Sequence, residues 1–286
     1  MEVLMLKLTI LLSLFLSSFS WAIEAKAASN PLMIFEYFDN DDYDKIIELI
    51  NSGIDVNIAN PEFYNSTPLM EVSFKLENPN DRYMEVAKLL LEKGADPNKK
   101  SATGSNALFY AVLLHRNNNL LNLFIKFGAN LNDTYHDNGE SLLHIALENG
   151  RSNAGQIFET LVKSGLNINA QDKSGYTPLM VAMSQTCVPQ EGCGFKGREV
   201  QLLVDLGASL NLEDKYFGYT ALKFGIDVAN ETSIFSEADI WEFEYLLKHG
   251  AIVDQEAVDI AASPVMKKLL KKYLAGGALH AKFYRK

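Results

Sequence analysis

The segment GADPN at residues 94–98 has five counterparts in this 286-residue chain. Each of the six follows a short amphipathic stretch of apolar residues, such as AKLLLEK (87–93) before Gly94. Because glycine adopts the left-handed backbone conformation without a Cβ penalty, each of these glycines is predicted to end a helix. The counterparts are GIDVN (53–57), GANLN (128–132), GLNIN (165–169), GASLN (207–211) and GAIVD (250–254).

A second signature comes downstream of five of these segments. It places a Thr or Ser where the side chain caps a helix N-terminus, and in two copies a Pro at the first helical position. Five positions after the cap stands a small residue, which lets neighbouring helices approach closely. The copies are STPLMEV (66–72), SNALFYA (105–111), ESLLHIA (140–146), YTPLMVA (176–182) and YTALKFG (219–225), with NPLMIF (30–35) as a degenerate first copy.

These two signatures, in register over residues 30–274, resemble the ankyrin repeat. The resemblance implies an all-α solenoid of about six helix-turn-helix repeats joined by short β-hairpin loops, with atypical capping repeats at both ends. Successive glycines lie 41, 34, 37, 42 and 43 residues apart, more than the family's unit of about 33. The extra residues are assigned to insertions between the two helices of a repeat, at 75–83, 186–197 and 230–239.

The N-terminus is predicted to be a cleavable export signal over residues 1–27. Lys7 precedes an apolar run from Leu8 to Phe19, and small residues follow around positions 20–27. An uncleaved anchor is disfavoured because about a dozen residues are too few to span ~30 Å of hydrocarbon. We therefore expect a periplasmic or secreted protein, with a minor cytosolic form if translation starts at Met33.

The only two cysteines, Cys187 and Cys193, flank a Pro- and Gly-containing loop. In an oxidising compartment they are predicted to form a disulfide. It would hold the loop residues Gln190 and Glu191 in one shape for contact with a partner. The alternative is two free thiols, expected if the working form is cytosolic.

Residues for catalysis or cofactor binding are not apparent in the sequence. Cys and His lack metal-ligand spacing, and no phosphate-binding or nucleophile motif occurs. We therefore predict no enzyme activity, no metal and no cofactor. The net charge of −10 also argues against nucleic acid as a partner. His144 stands where the ankyrin pattern itself places a histidine for hydrogen bonding between repeats.

Aromatic side chains recur at the predicted hairpin tips, which the family exposes. Tyr is favoured at interfaces because it buries a large area with few rotatable bonds. Acidic Glu62, Asp137 and Asp172 lie among the tips, so a protein partner with a basic surface is predicted. For Tyr176 and Tyr219, packing onto a neighbouring hairpin is an equal alternative. The predicted tip contacts are Phe63, Tyr64, Tyr135, Tyr176, Glu213, Asp214, Tyr216 and Phe217.

The C-terminal segment SPVMKKLLKKYL (263–274) has one apolar and one lysine-rich face, followed by a basic tail at 275–286. A capping helix is the favoured interpretation, and contact with a membrane is the alternative.

By resemblance to exported bacterial ankyrin proteins, we expect an immunity protein that sterically neutralises a toxin such as a lipid- or wall-degrading hydrolase. The alternatives are support of a periplasmic enzyme and a host-directed effector.

Overall fold

The computed structural model describes residues 30–76, 82–115, 118–148, 154–184, 196–231 and 240–280. These ranges are mainly helical, with isolated β-bridges at Asn60–Ser66 and Tyr135–Glu140 instead of extended strands. None of the helices within them is long and apolar enough to span a bilayer. The helices are α1 (Met33–Asp39), α2 (Tyr43–Asn51), α3 (Pro68–Lys75), α4 (Tyr83–Glu92), α5 (Ala107–Tyr110, continued by a π-helical turn Ala111–His115), α6 (Asn118–Lys126), α7 (Leu142–Glu148), α8 (Ala154–Lys163), α9 (Pro178–Ser184), α10 (Lys196–Asp205), α11 (Ala221–Glu231), α12 (Trp241–Lys248), α13 (Gln255–Ile260) and α14 (Pro264–His280).

All six signature glycines end a helix in the left-handed conformation, with φ between 83° and 104°. At the end of α4, the amide of Gly94 donates to Leu91 O (3.1 Å) and the amide of Ala95 donates to Leu90 O (2.9 Å). This pair of bonds is a Schellman motif, which satisfies carbonyls that the helix leaves without a partner. The prediction that these glycines terminate helices is confirmed.

The predicted caps begin the first helix of each repeat. The hydroxyl of Thr67 accepts from the amide of Met70 (3.4 Å), and that of Thr177 accepts from the amide of Met180 (3.2 Å). The side chain of Asn106 accepts from the amide of Phe109 at 2.9 Å. Each cap supplies an acceptor to one of the unpaired amides of the first turn.

The last residue of the G-x-x-x-N segment joins consecutive repeats. Asn57 Nδ2 donates to Gly94 O (2.9 Å), and Asn57 Oδ1 accepts from the amide of Asp96 (2.7 Å). Asn211 makes the same pair of bonds, to Gly250 O (3.2 Å) and from the amide of Ile252 (2.9 Å). One amide side chain thus fixes the register of two adjacent loops.

The chain divides into two compact units. The first contains residues up to Ala111 together with Lys126–Ala129, and the second contains Val112–Ile125 and the chain from Asn130 onward. The first unit buries apolar side chains of α1 to α5; in its core, Tyr83 stacks on Phe38 with ring centroids 6.0 Å apart.

In the second unit, Gly225 of α11 confirms the predicted need for a small residue. A Cβ there would lie 2.6 Å from Met183 Cε and 3.1 Å from a ring carbon of Phe243, so the residue's size sets how closely these helices pack.

The second unit ends in the predicted capping helix. The apolar side chains Met266, Leu269 and Leu270 of α14 are buried. They pack in the protein core, so they are not available for insertion into a membrane.

Candidate protein-binding site

The loops that connect consecutive repeats share one register. Seven residues after each of the first five helix-ending glycines, a residue starts a turn, and its amide donates to the carbonyl of the residue that closes the turn. We call these segments tip turns. They run from Asn60 to Ser66 (2.8 Å), Ser101 to Ser105 (2.8 Å), Tyr135 to Glu140 (2.9 Å), Asp172 to Tyr176 (3.0 Å) and Asp214 to Tyr219 (3.0 Å).

The first residue of a tip turn points inward in four of the five turns. Tyr135 is only 2% exposed, and Asp172 and Asp214 are also buried. The prediction that these three side chains lie on the surface of the tips, and that Tyr135 and Asp214 contact a partner there, is therefore wrong. The physical reason is that the bridging position directs its side chain beneath the turn, whereas only the residues between the two ends project outward.

Asp214 has a different role, which is to hold its turn in one conformation. Its Oδ1 accepts from the amides of Tyr216 (2.7 Å) and Phe217 (2.9 Å), and its Oδ2 accepts from the amide of Tyr219 (2.8 Å). Bonds from amides to a carboxylate are stronger than those between neutral groups. The turn is thereby fixed with its two central aromatic side chains outside it.

Tyr216 and Phe217 are 70% and 69% exposed. Gly218 follows with φ +67°, and the ring centroids of Phe217 and Tyr219 lie 5.4 Å apart. Glu213, next to the turn, is exposed as predicted. This tip therefore presents two large aromatic side chains with a carboxylate beside them.

The neighbouring tip turns of the second unit support this one. The amide of Lys215 donates to Ser174 O (3.0 Å), and the amide of Lys173 donates to Asn138 O (2.9 Å). A Cβ on Gly175, whose φ is +86°, would lie 2.8 Å from the Lys215 amide nitrogen. Only glycine permits this spacing, and the turns form a row with a fixed backbone.

The sequence left two alternatives for Tyr176, contact with a partner and packing onto a neighbouring hairpin, and the structure shows a side chain that is partly packed and partly exposed. Its side chain is half-buried, and its ring packs on Phe224 of α11 with centroids 4.9 Å apart. Burial raises its pKa above the ordinary tyrosine value. Tyr219 is likewise half-buried. These four residues form one aromatic surface in the second unit. Tyr176 and Tyr219 are its inner part, and Tyr216 and Phe217 are its outer part.

The first unit carries its own aromatic tip. Phe63 is 45% exposed and Tyr64 is 66% exposed, and Tyr64 O accepts from the amide of Ala102 at 2.7 Å. Phe63 contacts Phe74 edge to face (5.7 Å), and Phe74 contacts Tyr110 (4.3 Å). Within the first unit, aromatic side chains therefore extend from this tip onto α3 and α5.

Phe74 and Tyr110 were not among the predicted contacts. Both are half-buried rings on the first helices of their repeats, and the repeat signatures do not distinguish them from the core aromatic residues of those helices. Other predicted contacts lie outside the described residues, namely Gln190, Glu191 and the Cys187–Cys193 disulfide, as do the export signal and the centres of the three insertions. These stay predictions.

The described residues contain no group of three or more His, Cys, Asp or Glu side chains that could hold a metal ion. The buried His144 serves the fold. Its Nδ1 accepts from the amide of Ser141 (3.1 Å), so Nε2 is the donor to Tyr176 O (3.0 Å), which links two repeats. Burial lowers the pKa of His144, which keeps this neutral tautomer.

Comparison with known proteins agrees with this architecture. The family model described as "Ankyrin repeats (3 copies)" matches residues 76–172 and 108–193. Residues 76–193 of the chain are therefore ankyrin repeats. A relative named as an ankyrin repeat protein of Fowlpox virus (strain NVSL) is 31% identical over 145 residues, which are 49% of this chain and 40% of the relative. This chain spans between 17% and 62% of the length of four curated relatives that it matches.

Two solved structures are similar over most of the chain. The ankyrin repeat domain of Bcl-3 has a TM-score of 0.65 at 23% identity, over 85% of this ankyrin-repeat chain and 98% of that domain. A chain from the complex of a predatory endopeptidase of Bdellovibrio bacteriovorus with an immunity protein has a TM-score of 0.54 at 26% identity, over 75% and 96% of the two chains. The predicted all-α ankyrin fold is confirmed, and ankyrin repeats are protein–protein interaction modules.

Proposed function

We propose that this ankyrin-repeat protein is exported and binds a partner enzyme, which it neutralises sterically as an immunity protein. The observation that carries the proposal is the tip at Tyr216 and Phe217, held by the buried carboxylate of Asp214. The partner we favour is a toxin that degrades lipid or cell wall.

About 70% of each of these two aromatic side chains is exposed, and that exposed surface contributes nothing to the packing of the monomer. Exposed apolar groups become favourable when a partner covers them, and aromatic residues are enriched among the residues that dominate binding energy. A loop that is ordered before binding also avoids the entropy cost of immobilising it. The carboxylate of Asp214 supplies that order in the free protein.

Charge complements this surface. Glu213 beside one tip and Glu62 beside the other are exposed, and the chain carries a net charge of −10. Such a field accelerates association with a basic partner and weakens as salt is added. We therefore expect the partner enzyme to present a basic rim around an apolar cleft.

The immunity role is supported by two observations of different kinds. One similar solved chain belongs to a complex of an endopeptidase with an immunity protein. The first 27 residues have the pattern of an export signal, which would bring this protein into the compartment where secreted hydrolases act.

Capture of the partner from a periplasmic extract tests the proposal. The variant Tyr216→Ser/Phe217→Ser should lower affinity about 10²-fold or more, since each anchor of this kind contributes about 2 kcal/mol. The matched control is Ile252→Ser, because Ile252 is also apolar and 63% exposed but lies outside the tip turns. Equal capture by the tip variant would contradict the proposal.

The captured enzyme then separates the candidate functions. Stoichiometric addition of the wild-type protein should abolish hydrolysis, and cells lacking the gene should become sensitive to the enzyme. A support protein would instead raise the activity, and a host-directed effector would capture no enzyme from the producing cell.

A further inference from the structure

The exposed face of α14 carries four lysines within six residues. Lys268, Lys271 and Lys272 are exposed, and Lys267 is half-buried. The opposite face of the helix is packed in the core. From residue 265 onward the sequence has seven basic and no acidic residues, so residues 1–264 carry a net charge of −17. Positive charge is therefore concentrated at one end of the chain.

Three other exposed lysines on described helices each pair with a glutamate one turn away. Lys88 lies 3.7 Å from Glu92, and Lys163 lies 2.8 Å from Glu159. Lys248 of α12 makes the same kind of pair with Glu244 at 3.3 Å.

Helix α14 has the opposite arrangement. Lys267 and Lys271, like Lys268 and Lys272, are four residues apart and repel each other. Within the described part of the chain none of the four forms a salt bridge, although Lys272 lies 5.7 Å from the ring centroid of Tyr273.

The position of the lysines along α14 is also unfavourable. The helix begins at Pro264, so Lys267 and Lys268 lie within its first two turns. The N-terminal end of a helix carries partial positive charge, which favours carboxylates and disfavours lysines. Repulsion between the lysines and, for Lys267, the helix dipole both oppose this cluster, and a bound anionic surface would offset both effects.

We propose that the lysine face of α14 docks on an anionic lipid surface through electrostatic attraction alone. Four to eight basic residues on a helix are the pattern that binds anionic headgroups. A flat surface meets this one face, while acidic groups farther than about 8 Å from it are screened at physiological ionic strength. A flexible polyanion such as nucleic acid would instead meet the −17 remainder. The core packing of Met266 and Leu270 keeps the helix at the headgroups.

Flotation of the full chain with lipid vesicles tests this inference. Binding to vesicles of phosphatidylglycerol and phosphatidylcholine should exceed binding to phosphatidylcholine alone, and the excess should disappear at high NaCl. Each lysine near an anionic surface contributes about fivefold to partitioning, so Lys268→Gln/Lys271→Gln/Lys272→Gln should lower it about 100-fold. The control Lys88→Gln/Lys163→Gln/Lys248→Gln makes the same change in charge and should bind like wild type.

Two features keep this test decisive. The apolar N-terminal segment would bind both kinds of vesicle alike, so only the salt-sensitive excess counts. Gln has a helix propensity close to that of Lys, so the α14 variant should keep the wild-type circular dichroism. The proposal is overturned if wild type shows no excess on anionic vesicles, if the control loses binding equally, or if the chain binds heparin but not vesicles. Because it uses residues outside the tip turns, its failure leaves partner capture unaffected.

Discussion

The change Asp214→Asn isolates the bond that fixes the aromatic tip. The asparagine side chain keeps one acceptor oxygen and replaces the other by an NH₂ group, which only donates. In the orientation that preserves more bonds, the oxygen still accepts from the amides of Tyr216 and Phe217, where Oδ1 now lies 2.7 and 2.9 Å from them. The amide of Tyr219, at 2.8 Å from Oδ2, then faces a donor.

The magnitude follows from this count. A hydrogen bond to a charged group contributes about 1.5–3 kcal/mol, and a neutral one about 1 kcal/mol. Asp214→Asn therefore loses one charged bond entirely and weakens two. Hydrogen exchange at the Tyr219 amide should accelerate about 10- to 100-fold, and at the Tyr216 and Phe217 amides less than 10-fold.

Native-state hydrogen exchange by NMR measures all three amides in one experiment. Asp214→Ala should accelerate all three to the same extent, because it removes both oxygens. Asp172→Asn is the matched control, since its Oδ1 holds the Tyr176 amide (2.8 Å) of the preceding tip turn. The reasoning is refuted if Asp214→Asn leaves the Tyr219 amide as protected as in wild type, or if Asp172→Asn has the same effect on it.

Three further predictions concern buried polar groups, each measured by urea denaturation. His144→Met should lower the free energy of unfolding by about 1 kcal/mol at neutral pH, because the bond to Tyr176 O is lost. Burial lowers the pKa of His144, so wild type loses stability as pH falls below about 6.5. The difference in stability between wild type and variant therefore shrinks at acidic pH. Burial raises the pKa of Glu71, so wild type loses stability as pH rises through that pKa. Glu71→Gln still accepts from Ser66 Oγ. This variant should be more stable than wild type at pH 7 and no more stable below about pH 4. Lys223→Met leaves Asp254, 2.6 Å from Lys223 Nζ, without its cation. Because Asp254 is about half exposed and water can solvate it, this should cost only about 1 kcal/mol, with faster amide exchange in α13.

The elements that the sequence predicted correctly depend on local chemistry. A helix that ends at Gly94 needs the left-handed conformation there, and Thr177 caps the helix that begins after it. Both requirements are visible in a few consecutive residues. The role of Asn57 was not predicted, because its partners at Gly94 and Asp96 are a full repeat away.

The third residue after the cap varies between repeats, although the first helix begins at the same position of the signature in each. His144 uses Nδ1 to accept from the amide of Ser141, the first bond of its cap. In two other repeats, Met70 and Met180 place a sulfur 3.4 Å from the corresponding amide, which a weak acceptor can satisfy. Lys223 has no acceptor and instead reaches the carboxylates of the following repeat. The pattern therefore predicts the helix start, and the residue type decides what that side chain bonds.

The tips explain why the binding residues were only partly predictable. Tyr135 and Phe217 are both aromatic and both lie in loops, yet one is 2% and the other 69% exposed. What separates them is register, since Tyr135 lies seven residues after Gly128 and Phe217 lies ten after Gly207. A sequence searched for aromatic residues cannot distinguish these positions, whereas counting from the glycine can.

Turn length also differs between the tips that expose aromatic side chains and those that do not. The turns at 101–105 and 172–176 close after four residues, and they expose no aromatic side chain between their ends. The turn at 60–66 closes after six residues and exposes Phe63 and Tyr64. The turn at 214–219 closes after five residues and exposes Tyr216 and Phe217. The turn at 135–140 is also long but presents His136 and Asp137. In these five turns, exposed aromatic side chains lie between the ends of longer turns only, although Thr103 and Lys173 are exposed in the short ones. Added length does not by itself require an aromatic residue. Aromatic residues occupy the added positions in one turn of each unit, where 45–70% of each side chain stays exposed, and this is why we propose those two turns for partner binding.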